Sequence, residues 1–521
     1  LTILTKSFTS LMDFSKILYV AIQYTAFHAI LLHKSTILLI LVPFGCAVNN
    51  NNVKYLLSWL AAFKHIVGFA EHVRVRCGRP EGIEDMAKEK SVAFITLGCK
   101  VNIAETEGMK RLFEKAGYRI VDSDEFADVY VINTCTVTNM GDRKSRQMLR
   151  RVHAINPEAV VAAVGCFAQV SPEEAAKVEG VSLVVGNNMK HEIVSLVEQA
   201  AGSGKGIYVR GRQQLDEFEE LPVETYTGHT RAFIKVQDGC DNFCAYCIIP
   251  YARGPVRSRK MEDVIKEAVN FSRQGFKEIV LTGIHLTSFR DNGTGADLID
   301  LIGEISRIDG IERIRLGSLD PVYITPRVIE FAKNTTKLCP HFHISLQSGS
   351  AATLKRMNRK YTPDDYRRAV NALREAIPDA AITTDVMVGF PGETRQEFEE
   401  SLAFCDEMEF LWAHVFKYSP RKGTPAARFK DQVSPGGKEE RSRAMIALAE
   451  KNREKFYRRF IGTQQEVLFE QPVPGSPGSV EGLTANYIPV EAELDESVIG
   501  KILPVRLVDI RGERMKGVPE D

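Results

Sequence analysis

Three β-branched apolar runs, SVAFITLGC, ADVYVINTC and AVVAAVGC, recur between residues 91 and 166, and each ends on a cysteine: Cys99, Cys135 and Cys166. Runs that are apolar at nearly every position suit strands buried on both faces of a parallel sheet. Between them the period changes. In AETEGMKRLFEKAGY the apolar residues Met109, Leu112, Phe113 and Ala116 recur at helical spacing, and Gly117 supplies a stop. Strand and helix alternate, which predicts an open parallel sheet whose strand carboxyl ends share one edge, where ligands bind. Three cysteines remote in sequence are thereby predicted to converge on one metal or cluster site.

The alternation resumes after residues 202–228, a seam in which AGSGKG is followed by the acidic DEFEELPVE. TRAFIKVQDGC, KEIVLTGIHL, ERIRLGSLDP, HFHISLQSG, AAITTDVMVGF and AHVFKYSP follow at intervals suited to helical crossovers. About six βα units fit a partial or full βα barrel, whose active face lies at the strand carboxyl ends. The exit loop of the first of these strands, GCDNFCAYCIIPYARG, holds Cys240, Cys244 and Cys247. From about residue 460 short strands such as QQEVLFE, NYIPVEAE and KILPVRLVDI alternate with Gly and Pro turns, indicating a small all-β barrel.

Residues 1–85 have another texture, apolar and poor in acids with a run of four asparagines. STILLILVPFGCAV is short for a membrane span, and no order of basic start, apolar middle and small-residue cleavage site marks a signal peptide. MAKEKSVAFITLGCKVN from Met86 reads as an ordinary cytosolic start, so residues 1–85 are expected to derive from a mis-assigned upstream start; the alternative is a membrane-associated extension. No membrane role is expected for the rest.

The length of 521 residues suits about three or four domains. Lys plus Arg equals Asp plus Glu, 67 each, so a nucleic-acid partner has to be met by local patches. Two basic runs flank cysteine loops. DRKSRQMLRR carries Arg143, Lys144 and Arg146, and RGPVRSRK carries Arg253, Arg257 and Arg259; both are candidate phosphate contacts. Ten cysteines without tight even pairing do not make a secreted disulfide framework and point to a reducing, cytoplasmic setting.

A structural zinc site takes four protein ligands, and the Cys240–Cys247 loop has three with no fourth nearby. Three thiolates on a four-iron cube leave one iron open. The C-x3-C-x2-C spacing with Tyr246 before the last cysteine resembles the radical S-adenosylmethionine superfamily, in which that cofactor occupies the open iron and yields a hydrogen-abstracting radical.

Taken together, TLGCKVN, NTCTVTNMGDRKSRQ, VGCFAQ and CIIPYARGPVRSR resemble the methylthiotransferases of that superfamily, and within them the branch acting on threonylcarbamoyladenosine at position 37 of tRNA. EGLTANYIPV resembles the TRAM domain, an RNA-binding barrel. The resemblance covers residue 91 to the end. It implies an α/β chain with a Rossmann-like methylthiotransferase N-terminal domain at 90–203, a partial βα (TIM-like) radical core at 226–456 and a TRAM barrel at 459–521.

It further implies two 4Fe-4S clusters, an auxiliary one on Cys99, Cys135 and Cys166 and a radical-generating one on Cys240, Cys244 and Cys247. S-adenosyl-L-methionine would supply both methyl group and radical, and an electron donor such as a flavodoxin or ferredoxin would feed the cluster. Gly283, Ser318, Gln347 and Asp385, near predicted strand ends, are candidate cofactor contacts. The product would be 2-methylthio-N6-threonylcarbamoyladenosine. Isopentenyladenosine in tRNA or a ribosomal-protein aspartate are the alternative acceptors, and a non-catalytic iron-sulfur scaffold or electron carrier is the alternative of another class.

Overall fold

The computed structural model describes residues 30–33, 36–39, 89–226 and 228–520. The chain divides into two units, 1–84 and 85–521. In the first, Ile30–His33 (β1) and Thr36–Leu39 (β2) pair antiparallel; the rest of residues 1–85, with Cys46, Cys77 and most of STILLILVPFGCAV, lies outside the described residues. Among the described residues no helix is long and apolar enough to cross a membrane.

The apolar runs of the second unit pair as expected. Ser91–Thr96 (β3), Arg119–Val121 (β4), Val129–Thr134 (β5), Val160–Gly165 (β6), Val181–Val185 (β7) and Gly206–Tyr208 (β8) form a parallel sheet in the order β4-β3-β5-β6-β7-β8. Both faces are covered, which is why the runs lack polar alternation. Val131 and Val164 pack with Met109 and Phe113 of helix Lys100–Lys115 (α1), whereas Ile132 and Ala163 pack with Leu149 and Val152 of Asn139–Ile155 (α2). Strand order reverses at β3, with β4 on one side and β5 on the other. Ligands bind at such a switch point, and the chain places Cys99 after β3 and Cys135 after β5, with Cys166 opening the short helix Cys166–Val170 (α3) after β6.

Six further parallel strands build an open βα barrel: Arg231–Asp238 (β9), Glu278–Gly283, Arg313–Leu316, His341–His343, Ala381–Val388 and Trp412–Lys417. Numbered with the two-residue antiparallel strand Arg257–Ser258 (β10), these are β9 and β11 to β15. Single bridges, Ile314 to Leu338 and Leu319 to Ile344, join the two halves between β12 and β13. One face of the strands is apolar and meets the crossover helices, with Ile279, Leu281 and Ile314 against Val264, Leu298 and Ile305. The lumen face is polar, and Arg231, Glu278, Arg313, Arg315, His341 and His343 line it. Helix α1 of the first domain packs along the edge strand β9.

The acidic seam is strapped down. Glu219 is buried and accepts the backbone N–H groups of Asn188, Lys190 and His191 at 3.1, 2.5 and 3.0 Å. Glu220 pairs with Arg259 at 2.8 Å and Glu224 with Lys115 at 2.7 Å.

Helix Pro435–Arg458 leads into a closed five-stranded barrel of Gln464–Pro472 (β16), Ser479–Thr484 (β17), Pro489–Glu493 (β18), Ile502–Arg511 (β19) and Arg514–Pro519 (β20), in the order β16-β17-β18-β20-β19. Strands β17 and β20 were not marked by the sequence pattern. Val467, Phe469, Val490, Val505 and Leu507 fill its core. It is locked to the larger barrel through polar contacts. Arg315 makes a two-pronged ion pair to Glu278 at 2.6 and 3.0 Å and donates to Ala485 O at 3.0 Å. Arg313 donates to Leu483 O at 3.0 Å and Glu466 O at 2.8 Å, and the Tyr487 ring stacks on His341 at 4.2 Å.

Breaking one partner of a buried pair leaves the other charge uncompensated, at a cost of about 3–5 kcal/mol. Arg315→Met should therefore lower the urea unfolding midpoint and speed protease cleavage near residues 459–463. The double change Arg315→Met with Glu278→Met should recover most of the loss.

Candidate functional site

The site begins with how the cysteine loops are brought together. Gly98 has φ +103°, and a Cβ there would lie 3.0 Å from Cys135 Cβ and 3.1 Å from its Sγ, so a glycine is what lets the first two loops touch. Asn102, one turn into α1, donates to Leu97 O at 2.7 Å and Thr134 O at 3.2 Å and so ties those loops. Cys99 is the N-cap of α1, and Thr138, three residues after Cys135, caps α2 by accepting from Gly141 N. Two helix N-termini thus sit at this edge, where their dipoles favour negative charge.

The second triad lies on the exit loop of β9. Gly239, with φ +75°, precedes Cys240, and a Cβ there would lie 1.8 Å from Pro255 O. Cys247 N donates to Cys244 O at 2.9 Å, and Asn242 N reaches Cys240 Sγ at 3.5 Å.

The two cysteine sets are neighbours. Helix Ile249–Arg253 (α4), which follows Cys247 directly, packs on α3, which begins with Cys166. Arg253 is fully buried; its Nε donates to Cys166 Sγ at 3.3 Å, while its other nitrogens reach Glu105 at 2.5 Å and Asn102 Oδ1 at 2.7 Å. Lys190 and Lys235 pair with Glu105 at 3.0 and 2.8 Å, and Lys235 and Arg257 pair with Asp238 at 2.7 and 3.2 Å. Burial alone would raise the Glu105 carboxyl, but Arg253, Lys190 and Lys235 hold it well below the ordinary range. On the far side Arg421 donates to Thr136 Oγ1 and pairs with Asp142, both at 2.6 Å, and so clamps the Cys135 loop to the segment that follows β15.

Burial pushes the thiols of Cys135 and Cys240 up to about 11 and that of Cys247 up to about 12. Such thiols stay protonated at neutral pH unless a metal takes the place of the proton. Among the described residues no three His, Cys, Asp or Glu side chains close tightly around a single ion, so the fit rests on the donor set and its surroundings. Those suit an anionic cluster. Each triad offers three thiols, and each has one guanidinium on a sulfur: Arg253 on Cys166 and Arg359 Nη1 on Cys244 at 3.3 Å.

The candidate cofactor contacts sit on successive strand ends. Gly283 closes β11 against the Gln237 side chain, and Ser318 is exposed after β12. Gln347, with φ +68°, donates its N–H to Asp385 O at 2.8 Å, so those two are brought together, and Asp385 Oδ2 lies 3.5 Å from His343 Nε2. Sequence reasoning missed Arg359 and Asp320. Asp320 lies 3.7 Å from Arg359 and 3.9 Å from His285, whose Nε2 is 3.1 Å from Asn242 of the cysteine loop. Nothing in MNRKY marks Arg359 as facing Cys244, and nothing in LGSLDP marks Asp320 as its partner.

The basic runs divide. Arg143 and Lys144 are exposed on α2, and Arg146 is half-buried with its guanidinium over the Phe167 ring at 5.5 Å. Arg253, Arg257 and Arg259 are internal instead of phosphate-facing, because Glu105, Asp238, Glu220 and Glu267 draw them inward.

Removing the Arg253 charge leaves Glu105 and Asp238 buried with fewer cations. Arg253→Met should cost about 3–5 kcal/mol in urea unfolding, and Arg253→Lys, which keeps the charge but loses the fork, should cost less.

Comparison with known proteins agrees with this arrangement. The Radical SAM superfamily model matches residues 234–405, and that of the uncharacterized protein family UPF0004 matches residues 91–186. The threonylcarbamoyladenosine tRNA methylthiotransferase MtaB of Bacillus subtilis is 43% identical over 422 residues, covering 80% of this chain and 94% of the relative. Its Aquifex aeolicus namesake is 39% identical over 415 residues, 80% and 99% of the two chains. The tRNA-2-methylthio-N(6)-dimethylallyladenosine synthase of Pelotomaculum thermopropionicum is 34% identical over 449 residues, 82% and 97%.

Among solved structures, the radical S-adenosylmethionine methyltransferase TsrM of Kitasatospora setae shares the fold, with a TM-score of 0.50, 15% identity and coverage of 65% of this chain and 77% of that one. A radical S-adenosylmethionine core joined to a second cysteine-bearing parallel sheet, in a chain 43% identical over most of its length to a curated methylthiotransferase, leaves one assignment: the chain belongs to the radical S-adenosylmethionine methylthiotransferases.

Proposed function

We propose that this enzyme methylthiolates N6-threonylcarbamoyladenosine at position 37 of tRNA and that it uses two 4Fe-4S clusters to do so. The observation that carries the two-cluster reading is the Arg253 contact to Cys166: the loop bearing one cysteine triad is bonded to a sulfur of the other. Cys240, Cys244 and Cys247 hold the radical-generating cluster, and Cys99, Cys135 and Cys166 hold the auxiliary one. S-adenosylmethionine supplies the methyl group and the hydrogen-abstracting radical, and the auxiliary cluster supplies sulfur.

The chain's own residues bind and orient. Gly283, Gln347 and Asp385 line the strand ends where the cofactor lies, with Ser318 at the open rim. Arg143, Lys144 and Arg146 meet RNA phosphates beside the Cys135 loop. The substrate branch is supported by the higher identity to relatives named for threonylcarbamoyladenosine, 43% and 39%, than to the 34% relative named for dimethylallyladenosine. Buried thiols and a tRNA substrate fit a cytoplasmic setting, with a flavodoxin- or ferredoxin-type protein as electron donor.

Reconstituted protein, given S-adenosylmethionine, a reductant and tRNA lacking methylthio groups, should add a methylthio increment to threonylcarbamoyladenosine, read by nucleoside mass spectrometry. An increment on isopentenyladenosine instead would assign the other branch. Replacing Cys99, Cys135 and Cys166 together by Ala should lower bound iron by about half, from about eight to about four atoms per chain. It should also abolish the increment while leaving 5′-deoxyadenosine formation. Loss of that formation as well would sink the division of labour.

A further inference from the structure

Lys100 follows Cys99 and is the first residue of α1, where a positive side chain opposes the helix dipole; no acidic residue occupies that first turn to offset it. It is half-buried, and its ammonium makes no hydrogen bond or ion pair to any described residue. Its charged neighbours come from lumen-facing strands: Arg231 on β9, Glu278 on β11, Arg315 on β12, His341 on β13 and His414 on β15.

The carboxylates in this region are already taken. Glu278 carries Arg315 at 2.6 Å and Arg231 at 3.9 Å, and Glu470 carries Arg231 at 2.5 Å. Lys100 shares this region with Arg231 and Arg315 and, among the described residues, has no carboxylate within ion-pair distance. A lysine held there against a dipole and two guanidinium groups, with no ion-pair partner among the described residues, is placed to meet an anion.

We propose that the Lys100 ammonium is the counter-ion for a carboxylate on the substrate, namely the threonine carboxylate of the modified adenosine. This deepens the function proposed above and rests on it. The anion sits inside the barrel, within one residue of Cys99, so charge pairing would seat the base beside the auxiliary cysteines. A backbone phosphate stays outside, where Arg143 and Lys144 are exposed. The carboxylate of S-adenosylmethionine is the other source of the same chemistry, and the test separates the two.

The experiment uses the full reconstituted enzyme with anticodon stem-loops bearing threonylcarbamoyladenosine or its methyl ester, and measures equilibrium binding beside turnover. Lys100→Met should weaken binding of the acid about ten- to hundredfold, the range for one lost charge-assisted contact. It should change binding of the ester less than about twofold, and Lys100→Arg should restore part of the acid's affinity. Iron content, KM for S-adenosylmethionine and 5′-deoxyadenosine formation should hold.

Equal weakening of acid and ester, or a rise in KM for S-adenosylmethionine alone, would overturn the assignment of Lys100 while leaving the substrate in place. Modification of isopentenyladenosine in place of threonylcarbamoyladenosine by the unsubstituted enzyme would overturn the substrate, and the Lys100 assignment with it.

Discussion

The structure turns on one buried cluster of charges. Glu105 and Lys190 come from the N-terminal domain, and Lys235, Asp238, Arg253 and Arg257 come from the radical-core domain; all are nearly inaccessible to water. Taking so many ions out of water costs several kcal/mol apiece, and well-packed apolar residues would serve stability as well. What the charges supply is registry. Each carboxylate is shared by cations from both domains or from two elements, so a slip of one domain against the other would strand an ion without a partner. Arg253 carries that registry to the chemistry, because the guanidinium that pairs with Glu105 also donates to Cys166. Position matters to reacting groups on the scale of an ångström, and a charge-locked seam fixes the two cysteine loops relative to one another where an apolar one would slide.

How far the sequence carries is set by the range of the interactions involved. The strand-then-cysteine runs were legible because a strand buried on both faces must be apolar at every position, and a switch point must lie at its carboxyl end. The six barrel strands, whose lumen face is polar, were legible on another ground, their recurrence at intervals suited to helical crossovers. Strands β4, β7 and β8 escaped because two of them are three residues long and none ends on a residue of distinctive chemistry. The arginines after the Cys240–Cys247 loop were misjudged on a different ground. A basic run shows charge but not its partner, and Glu105 is 148 residues from Arg253. His343 and His414 carried no signal of their own, yet they face Asp385 and Lys100 across the lumen.

The C-terminal barrel illustrates the same limit. Its strands could be read from turn spacing, but its attachment depends on Arg313 and Arg315 reaching carbonyl oxygens about 170 residues downstream. Backbone carbonyls are identical at every position, so nothing in the sequence announces them as partners. Docked in this way, the small barrel closes over the lumen face of β12 and β13, and Tyr487 stacks on His341. An RNA held by that barrel would therefore be fixed relative to the lumen instead of swinging on a linker.

Both cysteine sets follow one electrostatic rule. Burial raises the thiols of Cys99 and Cys135 in one set and of Cys240 and Cys247 in the other, which alone would leave those four protonated and inert. Each set answers with a guanidinium against one sulfur, and both arginines are themselves anchored by carboxylates, Arg253 by Glu105 and Arg359 by Asp320. An arginine so anchored cannot turn away when the sulfur is neutral, so the site is organised for negative charge before any metal arrives. The chain as a whole is electrically neutral. That neutrality is locally broken at the exposed start of α2, where Arg143 and Lys144 face solvent, and beside Lys100.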